Sequence, residues 1–390
     1  VVVLRLLHGP QSLGNLEGEI NCCTHLVMKM VIFLVSRLKR FDGQTKAVLN
    51  FTSGLLRLNM DVTIVGYYIR EDIKREVTQK LGINIYNISS NDETLFGLAN
   101  EYYFDGISKK LMKIVHSLPK DIILVSNDII VNTIKYNKKK YPMIYWSQGA
   151  IASLFMWPLT YSKSPTLRKL VSMTAPVINL RFSNSVKRYP CVLANSKTTG
   201  NIISLFYDTP PTDVVYPPIH VEYYARKAKT ETNEDDKYVL VFLKRGYPAS
   251  VNVIKKLAEN VRIKVVGYQI DNAKSFINIS DEELIDLYCN AYVTIYPITF
   301  ENFGYIPVES MACGTPVVAY RFSGGPSETI IHERTGWLVN TEKDLYKKAL
   351  EIYKNGYDMK MRKDAIERAK DFSYVNSTEK LLYYIKNSSL

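Results

Sequence analysis

TFENFGYIPVESMACGTPVVAY, residues 299–320, is the stretch on which the fold turns. It closes on VVAY, an apolar run after Thr315-Pro316, so a buried strand is expected at Pro316–Tyr320. Pro307 suits the first turn of a helix and Gly314 suits its C-terminal cap, which predicts a helix over Pro307–Cys313. Tyr292–Tyr296 upstream reads as another strand. Strand, loop, helix and strand in this order imply parallel pairing. The loop carrying Glu301, Asn302, Phe303 and Gly304 then opens at the carboxyl end of a strand, where open α/β sheets bind ligands. Free backbone N–H groups and the helix dipole favour a diphosphate there. Glu309 lies early in the helix, roughly 12 Å from Glu301 along the axis. That spacing suits gripping two ends of an extended ligand through its hydroxyls better than sharing a proton. Taken alone, the two carboxylates would read as ordinary solvent-facing acids.

The same alternation extends outward on both sides. Tyr238–Leu243 and Arg262–Val266 read as strands, Val251–Leu257 and Asp281–Cys289 as helices, and together they make a β/α domain over 238–370. Nearer the start, the reading gives strands from Met30 (MVIFLV) and at Val62–Val65, Ile83–Tyr86, Ile122–Val125, Met143–Trp146 and Cys191–Ala194. A helix over Thr45–Leu58 follows the Gly43 loop. These define a second doubly wound domain over 30–207. Between the domains, DTPPTDVVYPP places four prolines in eleven residues, which stops helices and stiffens a connection, so 208–237 reads as a linker. Residues 1–29 do not resemble the rest and read as an extension, with Met28 or Met30 as natural starts. Residues 371–390 form a terminal helical segment.

Composition narrows the function classes. The chain has 390 residues, 46% hydrophobic, with a net charge of +12. That is enough for two cores and favours anionic partners. From Ile129 to Tyr207 there is no Asp or Glu but eleven Lys and Arg, among them Arg168, Lys169, Arg181, Lys187 and Arg188. This is either a solvated basic face or an anion-facing one. The five cysteines have no paired spacing, so neither a disulfide framework nor a zinc site is expected, and a cytoplasmic setting fits. No segment has the plan of a membrane span. The Walker pattern, the dinucleotide GxGxxG and the GxSxG elbow are absent. No RNP-like aromatics or recognition helix supports a nucleic-acid binder, and no nucleic-acid partner is expected.

The whole neighbourhood resembles a retaining, family 4-type glycosyltransferase of the GT-B fold (glycosyl transferases group 1). The residues that carry the resemblance are Glu301-x7-Glu309 with SMACGTPVVA, the SGGPSE stretch (Ser323–Glu328), HERTGWLV (His332–Val339), INISDEELIDLYCNAYVTIYP (Ile277–Pro297) and the linker sequence VVYPPIHVEYY. The resemblance covers most of 30–385 and is weakest in the first domain. It implies two Rossmann-like domains facing a central cleft, with a terminal helix (Tyr374–Lys386) crossing back to the first. It further implies that Glu309 holds the nucleotide ribose and Glu301 the donor sugar. Backbone at Asn302, Phe303, Gly304 and Tyr305 would line sugar and diphosphate, and the Gly43 loop would face the same phosphates. The family's clamping Arg maps to Arg245, with Lys244 beside it, but the second Lys is missing: Ser250 stands there. Where the family often has a His near the sugar, this chain has Ser147-Gln148; Gln148 can hydrogen-bond a sugar but cannot act as acid or base.

By that resemblance the donor is a UDP- or GDP-linked hexose and the acceptor a glycan or a polyprenyl-phosphate-linked glycan. No cofactor or metal is expected, since no D-x-D signature occurs. Transfer passes through an oxocarbenium-like state, and the leaving diphosphate can accept the acceptor's proton. Stabilisation of the departing charge falls to Arg245, Lys244 and the helix tip at Gly304, with Glu301 at the sugar. The apolar segments Leu154–Trp157 and Leu170–Leu180, set in the acid-free stretch, suit an anionic membrane surface and a peripheral location. The missing Lys and His motivate an alternative: a catalytically weakened relative that binds a nucleotide sugar or a protein partner.

Overall fold

The computed structural model describes residues 30–38, 42–88, 105–126, 131, 142–149, 164–231, 236–243 and 251–388. The expectations for residues 1–29, Leu154–Trp157, Lys244 and Arg245 fall outside these. The chain divides into two compact units. The first holds residues up to Asn195, then Thr199–Val215 and Thr378–Leu390; the second holds Ser196–Thr198 and Tyr216–Ser377.

In the first unit the strands are β1 (Met30–Leu38), β2 (Asp61–Ile69), β3 (Ile85–Asn87), β4 (Ile122–Ser126), β5 (Met143–Ser147), β6 (Cys191–Ala194) and β7 (Asp213–Val214). Among the described residues they pair in the order β3-β2-β1-β4-β5-β6-β7, every pairing parallel. The crossover helices are α1 (Gly43–Arg57), α2 (Glu71–Leu81), α3 (Asp105–Ser117), α4 (Pro165–Val186) and α5 (Lys197–Tyr207). β4 and β5 are buried along their whole length. Such continuous apolar strands are what a parallel sheet covered on both faces requires. Trp146 is the largest fully buried side chain. Its indole N–H donates to the Val215 carbonyl at 2.9 Å, and its ring meets Phe51 edge-on at 4.9 Å. The strand order reverses between β1 and β4, the topological switch point of such a sheet.

The second unit repeats the plan. Its strands are β8 (Val239–Phe242), β9 (Ile263–Val266), β10 (Lys274–Phe276), β11 (Val293–Tyr296), β12 (Val317–Tyr320) and β13 (Gly336–Val339). They pair in parallel as β10-β9-β8-β11-β12-β13. The switch point lies between β8 and β11. Around the sheet lie α6 (Val221–Ala225), α7 (Val251–Ala258), α8 (Asp281–Cys289), α9 (Tyr305–Ala312), α10 (Gly325–Thr329), α11 (Glu342–Asn355) and α12 (Lys360–Lys370). α8 starts where the sequence says it should. Ser280 accepts from the Glu283 N–H while Glu283 reaches back to the Ser280 N–H, a complete capping box. α13 (Tyr374–Asn387) ends the described chain. From Thr378 on it packs within the first unit: Leu381 and Ile385 are buried, and Tyr384 Oη and Lys380 Nζ reach Asp213 Oδ2 at 2.7 and 2.8 Å.

Two short elements, β7 and α6, lie inside the proline-rich stretch read as a linker. Prolines 210 and 211 precede β7 rather than interrupt it, and β7 sits at the sheet edge, where a short strand needs only one partner. No described helix is long and apolar enough to cross a membrane.

Candidate active site

The loop 297–304 leaves the carboxyl end of β11, next to the switch point of the second sheet, and runs into α9. Its shape is set by contact with a second loop, 321–325, which leaves β12. Glu301 N–H donates to the Ser323 carbonyl and Gly325 N–H donates to the Glu301 carbonyl, both at 2.9 Å. Residue 325 admits no side chain: a Cβ there would lie 2.1 Å from the Phe303 carbonyl oxygen. This explains why the SGGPSE and ENFG stretches go together. Gly304 caps the start of α9 with φ +83 and no capping side chain, and a Cβ on it would press on Glu301 and Pro326 at 3.3 and 3.2 Å. Small residues on both loops thus bring two backbones together and leave the α9 amino end without side-chain caps.

Phe303 anchors this loop from below. It is buried and lies among Tyr216, Tyr305 and Phe372, with ring centroids 5.5 to 5.8 Å away. Its backbone, not its ring, is what a ligand could meet. Glu301 is half-buried, and its Oε2 accepts from Tyr296 Oη at 2.8 Å. That hydroxyl, at the end of β11, fixes where the carboxylate points. Asn302 Oδ1 is buried with no hydrogen-bond partner among the described residues, an acceptor left open on the same loop. A buried polar atom without a partner is costly, and an active site is one place such a cost is kept.

Glu309 is held differently. Only 3% exposed, it accepts from Tyr224 Oη and Tyr288 Oη, each at 2.9 Å, one on each carboxylate oxygen. Burial, and then the neighbouring Glu309 carboxylate, pushes both phenols far above their ordinary range. They stay protonated and stay donors. A ribose at Glu309 would share these lone pairs or displace a tyrosine. Each ionised oxygen has room for a second donor.

In the first unit, Gly43 is the opening residue of α1, after N-cap Asp42, whose side chain accepts from the Thr45 N–H at 3.0 Å. Gln148 follows β5 directly and is buried. Its Nε2 donates to Ser126 Oγ at 2.6 Å, and its carbonyl accepts from Asn195 Nδ2 at 2.8 Å. Glu301, Asn302, Phe303, Gly304, Tyr305 and Glu309 all belong to the second unit; Gly43 and Gln148 belong to the first. Sequence reasoning missed Tyr296, Tyr224 and Tyr288, which orient the two carboxylates. Tyr296 closes a legible strand five residues before Glu301 and could have been suspected. Tyr224 stands 85 residues from Glu309, beyond any local pattern.

Two parallel doubly wound sheets, with a glycine-shaped carboxylate loop at the switch point of the second, are the layout of the GT-B fold. Solved structures share this fold over nearly the whole chain. Sucrose-phosphate synthase from Thermosynechococcus elongatus superimposes with a TM-score of 0.69 at 14% identity, covering 92% of this chain and 98% of that one. Anabaena HepE in complex with UDP-glucose gives 0.66 at 15% identity, covering 92% and 100%. The profile of the glycosyl transferases group 1 family matches residues 226–372 of this chain. Among curated relatives, the alpha-1,3/1,6-mannosyltransferase ALG2 of Dictyostelium discoideum is 36% identical over 111 residues, 28% of this chain and 26% of that protein. ALG2 of Mus musculus is 27% identical over 221 residues, 50% of this chain and 52% of that protein. The matched stretches thus span from about a quarter to about half of these relatives' lengths.

Proposed function

We propose that the protein transfers a hexose, with retention at the anomeric carbon, from a UDP- or GDP-linked donor to a glycan or lipid-linked glycan acceptor. The observation that carries this reading is the 301–304 loop. It combines a carboxylate aimed by Tyr296, an open amide acceptor on Asn302, and a helix amino end bare of side-chain caps. In this reading Glu301 and Asn302 hold sugar hydroxyls. The α9 amino end and the backbone through Tyr305 take the diphosphate, and Glu309 takes the ribose. Lys244 and Arg245, which follow β8 beside the switch point in sequence, supply the cations for the leaving group. No step requires an enzymic base stronger than the departing diphosphate.

The exposed face of α4 favours a lipid-linked acceptor. Met173, Val177 and Leu180 are 68%, 69% and 64% exposed. At spacings of four and three they share one side of the helix. Exposed Arg168, Lys169 and Arg181 lie on the same helix, the pairing of apolar and cationic surface that an anionic membrane takes up. One observation keeps the weakened-relative alternative alive: both Glu309 oxygens already have tyrosine donors. The test is turnover. Purified protein incubated with each common UDP- and GDP-sugar and a polyprenyl-diphosphate glycan should release nucleoside diphosphate, with the product anomer matching the donor by NMR. Binding of a nucleotide sugar without release from any donor supports the binding-protein alternative, and an inverted anomer excludes retention.

A further inference from the structure

A cleft of about 520 Å³ opens on one face of the second unit's sheet, toward the amino ends of β8 and β9. It lies at the opposite end of the strands from the 301–304 loop. Arg262 and Lys264 line it, two residues apart and therefore on the same face. Lys274 on β10 is the direct cross-strand partner of Lys264, so three cations share one patch of sheet. Ile263 and Val265, which alternate with them, are buried on the other face. Like charges directly opposite in a sheet are destabilising. Lysines on an edge strand are a common guard against aggregation. That accounts for Lys274 on edge strand β10, but not for Lys264 on the inner strand β9 or for Arg262 just before it.

The acids nearby answer this charge only at Arg262. Asp286 pairs with Lys227 at 2.7 Å. Glu283 is committed to its capping box, at 2.9 and 2.7 Å from Ser280 N and Oγ. Asp236 lies 3.3 Å from Arg262. Among the described residues neither Lys264 nor Lys274 has a carboxylate within ion-pair distance. Instead Lys264 Nζ sits 3.5 Å from the Tyr238 ring centroid and Lys274 Nζ 5.3 Å from that of Phe276. Burial, with Arg262 and Lys274 adding to it and Asp236 opposing it, pushes the Lys264 ammonium below its ordinary range, as expected where positive charge outweighs the nearby negative charge.

We propose that this cleft is a second anion site, binding a phosphomonoester or diphosphate group between Arg262, Lys264 and Lys274. The rings of Tyr238 and Phe276 face the body of the ligand. The site is independent of the donor site and stands whether or not the transferase reading holds. The group could arrive on a soluble molecule or on a lipid headgroup.

The test is site-resolved lysine labelling of the full chain by an amine-reactive reagent, read by mass spectrometry. One arm adds inorganic pyrophosphate. The other adds phosphatidylcholine vesicles with and without phosphatidic acid. Slower labelling of Lys264 and Lys274 with millimolar pyrophosphate or below, with exposed Lys343 unchanged, supports the site and a soluble ligand. Protection only by phosphatidic acid vesicles supports the site and a lipid source. Protection by neither overturns it. Calorimetry with R262M/K264M adds a second reading: pyrophosphate binding at this site should vanish, while any nucleoside diphosphate binding persists. Unchanged pyrophosphate titration in that variant also refutes the proposal, and the E309Q variant should leave the lysine protection intact.

Discussion

Replacing Glu309 with Ala removes the acceptor of two buried hydroxyls at once. Tyr288 is fully buried and Tyr224 is 3% exposed, so neither hydroxyl can turn to water. Each orphaned donor costs about 1–3 kcal/mol, and the pair therefore roughly 2–6. Truncation also leaves a void, which adds to the loss. Against this, the variant no longer desolvates a carboxylate, a relief worth several kcal/mol in its own right. A net destabilisation of about 2–4 kcal/mol is expected. Glu309→Gln keeps the volume and can accept from one tyrosine while donating to the other, so its cost should stay below about 1.5 kcal/mol. Tyr224→Phe and Tyr288→Phe placed on Glu309→Ala should recover much of the loss, because the orphaned hydroxyls leave with it. Urea denaturation of the four proteins, compared at constant slope, measures these differences. If Glu309→Ala lies within about 0.5 kcal/mol of wild type, the scale of an ordinary surface change, the two-tyrosine clamp is refuted. The Gln variant then becomes the clean probe of nucleotide binding, since it alters hydrogen bonding without unfolding the site.

Other perturbations have equally definite outcomes. Gly325→Ala puts a methyl 2.1 Å from the Phe303 carbonyl oxygen; neither backbone can retreat cheaply, so stability should fall by about 1–3 kcal/mol and donor binding with it, as denaturation and calorimetry would show. Arg362 is fully buried and donates to the Lys229, Ala291 and Cys289 carbonyls, at 2.7, 3.1 and 3.3 Å. Arg362→Met strands these acceptors and should cost about 2–4 kcal/mol by denaturant unfolding. Glu282 is drawn down to about 2, first by its hydrogen bond from Arg226. Its contribution is fully present above its ordinary value of 4.5 and is lost as pH falls toward 2. The group is 40% exposed, so Glu282→Gln should cost no more than about 1 kcal/mol at pH 7 and nothing at the acid limit, a difference that melting curves against pH resolve. Met173→Asp with Val177→Asp should abolish partitioning onto anionic vesicles at unchanged melting temperature; equal partitioning would remove α4 from the membrane-facing reading.

Much of the fold was legible because its punctuation is chemical. The continuous apolar runs gave β1, β2, β4, β5, β6 and β8 within a few residues. The helix over Asp281–Cys289 was placed to the residue, and the structure shows the capping box of Ser280 and Glu283 that fixes its start. The start of α9 was read at Pro307 but falls at Tyr305, because a glycine N-cap stabilised by loop-on-loop contact has no side-chain signature. The strand β10, only three residues long and nowhere fully buried, escaped because so short a run shows no period. At the site, the carboxylates could be read and their holders could not. Glu301 and Glu309 stand in a motif, whereas Tyr224 and Tyr288 meet Glu309 only after α6, α8 and α9 pack together. The close approach of residues 303 and 325 is likewise a property of two loops on adjacent strands, invisible along one strand of sequence.

The most direct test is a melting-temperature panel of UDP, GDP and their common sugars against wild type and Glu309→Gln. A ligand bound only by the native state raises the midpoint, by about 2.7 kcal/mol of added stability at a hundredfold excess over its dissociation constant. At least one nucleotide diphosphate should stabilise the wild type, and the gain should shrink or vanish in the variant while the unliganded fold stays intact. No shift with any of them, or an equal shift in both proteins, contradicts a diphospho-sugar site built on the second sheet around Glu309.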